Sequence, residues 1–315
     1  MPMFDAYLFV DWSGANGPSP RRPTANAVWV GELVPRISQQ ETYHQTRSSA
    51  IKHVTDVLVD HSRQEHKVLV GFDFPYGYPA GFTRALALPH GPQSWWAVWA
   101  ELADRVQDNH SNNVSNRFAA AGELNTIAAN GNQGPFWGCP VGTMIAALQP
   151  RDPGFPFQAA GNVPLLRYRI VEERLREEHF RVQEAWKLYG AGSVGSQALV
   201  GIPYVYGLRR HPELVQISRV WPFEVQFTSV PSPGRGPFVL HAEIWPGVVK
   251  QRVDVLMSGG AGLIRDRAQV RAMCEWVAER DEQDMLGQFF DTPVGLSQQQ
   301  IHVCVEEEGW ILGAQ

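Results

Sequence analysis

The chain has 315 residues, 44% of them hydrophobic and 11% aromatic, with a formal net charge of -5. That is enough apolar material for a sizeable core in one large domain or two ordinary ones. It excludes a global electrostatic attraction to nucleic acid, whose binding is dominated by cationic contacts to phosphates, so any such activity needs a local basic patch. The three cysteines, Cys139, Cys274 and Cys304, are odd in number and far apart, which suggests neither a disulfide framework nor a C-x-x-C zinc site. No apolar run approaches the roughly 18 to 20 residues of a membrane span. The opening "MPMFDAYLFVDWSG" lacks a basic n-region and a cleavage site, and the expectation is a cytoplasmic protein without a membrane partner.

In chain order, "AYLFVDWSGA" begins with a β-rich apolar run, Tyr7 to Val10, that breaks at Ser13-Gly14, the pattern of a buried first strand ending in a turn. After the loop "NGPSPRRPTAN" the alternation in "AVWVGEL" predicts a second strand, and "ETYHQT" a short third one. Ile51, Val54, Val57 and Leu58 at helical spacing predict the first amphipathic helix. His44, His53, His61 and His66, on and around it, read as surface residues. "HKVLVGFDFPYGYP" returns to strand and is stopped by Pro75 directly after Asp73. Residues 81–213 are irregular, with Trp-rich helical pieces, an Asn-rich stretch and Pro/Gly loops, and read as an insertion packed on a core made of residues 1–80 and 214–315. "LRYRIVEERLREEHFR" interleaves Arg with Glu and reads as a solvated, salt-bridged helix face. "LVQISRVWPFE" and "PFVLHAEIWPG" are two further strands, and "LIRDRAQVRAMCEWVAERDEQDML" is a strong last helix.

Gly190, Gly192 and Gly195 have the G-x-G-x-x-G spacing that cradles a dinucleotide pyrophosphate. The fingerprint requires a buried strand before it and a helix after it. Upstream, "EEHFRVQEAWKLY" fits a helix, and downstream a helix would have to survive Gly201 and Pro203. The expectation is a glycine-rich turn that binds no dinucleotide cofactor.

Asp11 ends the first strand, Asp73 ends the central "VLVGFD" strand, and Glu243 lies on the apolar strand "FVLHAEIW". Charged side chains are almost never fully buried without a partner. Each strand-end Asp could instead cap a following turn. In the last helix Val270, Met273, Cys274 and Val277 mark a core face whose forward continuation reaches Asp281 and Asp284, unless the helix has frayed there. Asp266 reads as a charge that favours the helix macrodipole. Converging carboxylates repel one another, and Mg2+ or Mn2+ is the natural neutralising partner because these hard cations take oxygen ligands.

"FVDWSGA", "VGFDFPYGYP" and "AEIWPG" resemble an uncharacterised family of predicted nucleases in the RNase H-like superfamily. The order of elements agrees: strands, helix, strand, insertion, strand and final acidic helix. The resemblance implies an α/β fold with an RNase H-like central mixed sheet, flanking helices and a large helical and irregular insertion. It also implies a metal-dependent phosphodiester hydrolase acting on nucleic acid or a nucleotide. In that reading Asp11 and Asp73 are metal ligands from the first and central strands, Glu243 is a further ligand or general base, and Asp281 or Asp284 is the acid from the last helix. "DEQDML" departs from the Asp pair followed by small residues that such families show. "PFWG", "GAGSVGSQ" and "EEGWILG" also look like proteins loosely labelled as acting in molybdopterin-guanine dinucleotide or cobalamin synthesis. Two other readings stay open: a nucleotide-binding phosphotransferase of the same superfamily presenting Ser13 and Gly14 to a phosphate, and a non-catalytic protein holding a ligand among Trp95, Trp96, Trp99 and Trp137.

Overall fold

The computed structural model describes residues 2–259 and 262–315. In chain order its elements are β1 (Ala6–Asp11), β2 (Val28–Val34), β3 (Ser38–His44), α1 (Arg47–Arg63) and β4 (Lys67–Phe72). There follow α2 (Phe82–Ala85), α3 (Ser94–Arg105), α4 (Arg117–Ala128), β5 (Phe157–Ala159), β6 (Val163–Leu165), α5 (Ile170–Glu177) and α6 (Val194–Arg209). The chain closes with β7 (Ser218–Val220), β8 (Phe238–Glu243), α7 (Lys250–Ser258), α8 (Arg265–Glu282) and α9 (Gln298–Val303). No helix among the described residues is long and apolar enough to cross a membrane.

Six strands form one mixed sheet in the order β3-β2-β1-β4-β8-β7, flanked by helices. β1, β4, β8 and β7 are parallel, while β2 is antiparallel to both β1 and β3. β5 and β6 make a separate two-stranded ribbon. Between β4 and β7 no described residue contributes a strand to the main sheet. The parallel centre reads as near-continuous apolar runs because helices cover both of its faces.

Alternation sorts the strand residues between two cores. Leu8 and Val10 of β1, Val70 and Phe72 of β4 and Val239 of β8 face one cluster, shared with α1, α3, α4 and α6. Tyr7 and Phe9, with Leu69, Leu240 and Ala242, face the other, formed largely with α8 through Ala272, Met273, Cys274 and Val277. α8 packs across β1 and β2. At Gly31 an added Cβ would lie 2.9 Å from the Val270 Cβ, so the missing side chain lets the helix lie directly on β2.

Three local expectations change. The helix after the glycines does form, and α6 runs through Gly201 and Pro203, with Gly201 packed against the Phe74 ring. Upstream, helix stops at Glu177, and the segment that leads to Lys187 is irregular. The Arg/Glu stretch is not wholly solvated: Arg169 and Glu172 are buried, and the Arg169 guanidinium bonds Glu172 and Glu243. Burying those two chains required Glu243, 71 positions from Glu172 and invisible to an i, i+3 reading of the charge pattern.

Candidate functional site

Parallel strands end together at one edge of the sheet, and the turns that follow them build a cleft of about 710 Å³. That is the size of a typical small-molecule or substrate pocket. Asp11, Asp73, Asp266, Arg117, Arg169 and Glu243 all contribute to its wall, as does the loop before α6. β1 delivers Asp11 as its last residue, and β4 delivers Asp73 one residue past its end. The two are tied together. The Asp73 N–H donates to the Val10 carbonyl at 3.2 Å, and the Trp12 N–H donates to Asp73 Oδ1 at 2.6 Å.

Asp266 arrives from a distant part of the chain, in the first turn of α8. Its Oδ2 accepts the Asn26 N–H at 2.5 Å, and the Asn26 carbonyl in turn accepts the Ser13 hydroxyl at 2.8 Å. The turn after β1, the loop before β2 and the start of α8 are thereby joined beside Asp11. Ser13 Oγ also accepts the Ala15 N–H, so this hydroxyl is engaged within the turn.

The electrostatics follow from burial. Asp11 is 8% exposed, and no group among the described residues donates a hydrogen bond to its carboxylate. Burial pushes its pKa well above the usual carboxylate value, and the charges of Asp73 and Asp266 push it further. Asp73 is also raised by burial and by Asp266, against the pull of the Trp12 N–H. Asp266 is raised by burial and drawn back by the Asn26 and Ala27 N–H groups. Three carboxylates thus compete for charge at the edge of one cleft. Among the described residues no three His, Cys, Asp or Glu side chains are gathered closely enough to enclose a metal ion by themselves.

Glu243 lines the same cleft but does not join this group. The parallel register pairs Val10 with Phe72 and Phe72 with Glu243, and paired residues share a face. Asp11, one residue on from Val10, points to the α8 face, and Glu243 to the opposite one. There it forms a two-pronged ion pair with Arg169, at 2.6 and 2.7 Å, and accepts the Tyr76 N–H at 2.8 Å. Arg169 also reaches Glu172 at 2.9 Å and the Glu308 carbonyl at 2.8 Å. Glu308, whose oxygens accept the Ala80 and Ile170 N–H groups, is raised by burial to about 7. The network clasps the turn after β4 to the C-terminal segment.

Asp281 and Asp284 lie elsewhere. The Asp281 carboxylate accepts the Met3 and Phe4 N–H groups at 2.7 and 2.9 Å and the Tyr7 hydroxyl at 2.6 Å, at the start of β1. Four residues of strand separate Tyr7 from Asp11, roughly 13 Å along the chain. Asp284 terminates α8: its φ is 58°, its N–H donates to the Asp281 carbonyl, and the Met285 N–H donates to the Arg280 carbonyl. That is the Schellman arrangement that usually carries glycine. Neither acid meets Asp11. The stripe Val270, Met273, Cys274, Val277 runs toward the site in the other direction, and stepping back four residues from Val270 reaches Asp266. Periodicity identified the stripe but not which end of it lies at the carboxyl edge.

The tryptophans pack as core. Trp95 stacks on Phe223 with ring centroids 4.6 Å apart, Trp95 and Trp99 are buried, and the gap beside them is about 10 Å³, room for about one water. Trp137 pairs instead with the Lys187 and Gln149 backbone. His61 is buried as well, 3.5 Å from Glu32 and 2.9 Å from His66 between their Nδ1 atoms.

No protein-family model matches the chain, and no match is found among curated proteins or solved structures.

Proposed function

We propose that the protein is a cation-dependent phosphodiester hydrolase of RNase H-like architecture, with Asp11, Asp73 and Asp266 as its acidic centre and a nucleic acid or nucleotide as substrate. The observation that carries this reading is that three carboxylates from separate parts of the chain line the wall of one cleft, close enough for Asp73 and Asp266 to raise the Asp11 pKa, with no donor to Asp11 among the described residues. The strand order β3-β2-β1-β4-β8, with β2 antiparallel to its neighbours, supports the architecture.

The donor set suits a hard divalent cation. Magnesium is commonly held by one or two carboxylates, with water and substrate phosphates completing its shell, so an enclosing three-residue cage is not required. Asp11, Asp73 and Asp266 are the residues that would hold Mg2+ or Mn2+. A cation bound there supplies neutralisation of the carboxylates and stabilisation of charge on the phosphoryl oxygens. The chain's own contribution is position. Trp12 and Asn26 hold the outer two acids by their backbone N–H groups, and Asp11 is left as an acceptor for cation or proton. Glu243 is outside this set, since its charge is neutralised by Arg169.

Cleavage of single- and double-stranded oligonucleotides and of a chromogenic phosphodiester, with Mg2+, with Mn2+ and with EDTA, tests the reading. Expected is cation-dependent cleavage that falls by about 100-fold or more in Asp11→Asn and Asp266→Asn and survives in Asp284→Asn. Wild-type protein that cleaves none of these substrates with either cation, while folded, overturns it.

A further inference from the structure

The glycine loop was expected to be a turn that binds no dinucleotide; it borders the cleft, and it ends at the N-terminus of a 16-residue helix, α6. Gly190 and Gly192 have φ of 90° and 73°. The backbone N–H groups of Gly190, Ala191, Gly192, Ser193 and Val194 find no acceptor among the described residues, and the Ser193 hydroxyl caps none of them. Within the first turn of α6 itself, Gly195 and Ser196 already donate to the Lys187 and Ser193 carbonyls. Unpaired N–H groups at the positive end of a long helix attract anions.

An independent observation points to the same spot. Arg117, at the start of α4, is only 6% exposed and lines the cleft. Its Nε donates to Ser196 Oγ at 3.0 Å, fixing the guanidinium against the first turn of α6, and its Nη1 donates to Asn16 and Ser115. Its Nη2 makes no hydrogen bond, and no carboxylate lies within ion-pair distance of it among the described residues. Asp108, whose charge acts on it, is committed to Arg47 through two hydrogen bonds. A buried cation without a counter-charge is costly, and burial, with Arg47 adding to it, lowers the Arg117 pKa to about 10. The other buried arginines, Arg47 and Arg169, each have a carboxylate partner.

We infer that the residue 190–194 loop, which leads into the N-terminus of α6, and the Arg117 guanidinium form a phosphate-binding subsite beside the carboxylates. It holds a phosphate group other than the one cleaved. The Gln197 side chain, which donates to the Trp12 carbonyl at 2.5 Å, joins this helix start to the residue after Asp11, so both sites belong to one cleft. Binding of the phosphate group needs no cation; only its assignment to a substrate phosphate rests on the hydrolase reading.

The test measures binding of inorganic phosphate in EDTA, by calorimetry and by thermal shift, against chloride at matched ionic strength. Wild type is expected to bind saturably. Ser193→Asp removes no cap, since the Ser193 hydroxyl makes none, and its acid suits a helix N-terminus, but it puts a negative charge in the subsite, and it should weaken phosphate by roughly tenfold or more while melting no lower than wild type in chloride. Arg117→Gln should weaken it likewise, and Asp11→Asn should bind at least as tightly as wild type. An oligonucleotide or a nucleoside diphosphate should then displace the phosphate: displacement by the first assigns the subsite to a nucleic-acid backbone, and by the second alone to a nucleotide. No saturable binding in wild type, undiminished binding in Ser193→Asp, or displacement by neither competitor overturns the proposal. Because this readout contains no cation and no cleavage, a hydrolase that binds no phosphate here and a phosphate binder that cleaves nothing are separate results.

Discussion

Asp73 accepts the Trp12 backbone N–H at 2.6 Å, while the Asp73 N–H donates to the Val10 carbonyl. The residues on either side of Asp11 are therefore both held by Asp73, and the two carboxylates cannot drift apart to relieve their repulsion. The strain of like charges is built into the junction of β1 and β4. It can be relieved only by protonation, by a cation or by removing a charge.

The pH dependence of stability should report this. The folded protein holds the Asp11 proton more tightly than the unfolded chain, so the contribution is fully present below the unfolded value of about 4 and is lost as pH rises above it. In EDTA, Asp11→Asn should match wild type near pH 4 and melt progressively higher than wild type as pH approaches 8. Adding Mn2+ at pH 8 should close the gap by raising wild type. A difference that does not change with pH, measured by scanning calorimetry, would show that the Asp11 carboxylate is unperturbed.

Glu243 makes the opposite prediction. Glu243→Gln leaves Arg169 buried with only Glu172 as partner, and breaking a buried pair costs about 3 to 5 kcal/mol. Urea unfolding should show that loss at every cation concentration. A variant as stable as wild type but unable to cleave would return Glu243 to the acidic centre.

At the far end of α8 the two acids should separate cleanly. Asp284→Gly relieves a left-handed backbone and should stabilise by about 1 kcal/mol. Asp281→Ala strands the Met3 and Phe4 N–H groups and the Tyr7 hydroxyl, and should destabilise by about 3 kcal/mol or more. Both should keep wild-type turnover per folded molecule; loss of cleavage in a folded Asp284→Gly would contradict the capping role.

His241 is fully buried and shares a 2.7 Å hydrogen bond with Ser218, and its Nδ1 has no partner among the described residues. Burial, and the Arg209 charge after it, lower its pKa to about 3, so the folded protein keeps it neutral while the unfolded chain protonates near 6.5. Stability present above 6.5 should be lost as pH falls toward 3, at up to about 1.4 kcal/mol per pH unit. His241→Gln should flatten that limb of the stability curve, and an unchanged acid slope would exclude this histidine as its source.

The strands were legible because their signal is local: an apolar run that stops at an acid or a proline reads as a buried strand and its end, and so Asp11 and Asp73 could be found from "FVDWSG" and "VGFDFP" alone. The stripe on α8 was legible for the same reason, as a period of 3.6 residues. What these patterns cannot carry is the relation between elements. Glu243 looked equivalent to Asp11, but the pairing of Phe72 with Glu243 rather than with its neighbour turns its side chain to the other face, and that register is set by hydrogen bonds between strands far apart in sequence, which pair Gly71 with Ala242 and Phe72 with Glu243. Asp266 looked like a local helix charge because its role depends on which end of α8 docks at the carboxyl edge, decided by packing of Val270 on Gly31 and by the Asn26 N–H. Arg117 carried no pattern at all: whether an arginine is buried beyond ion-pair distance of a carboxylate depends on how distant segments pack, and only the tertiary structure decides that.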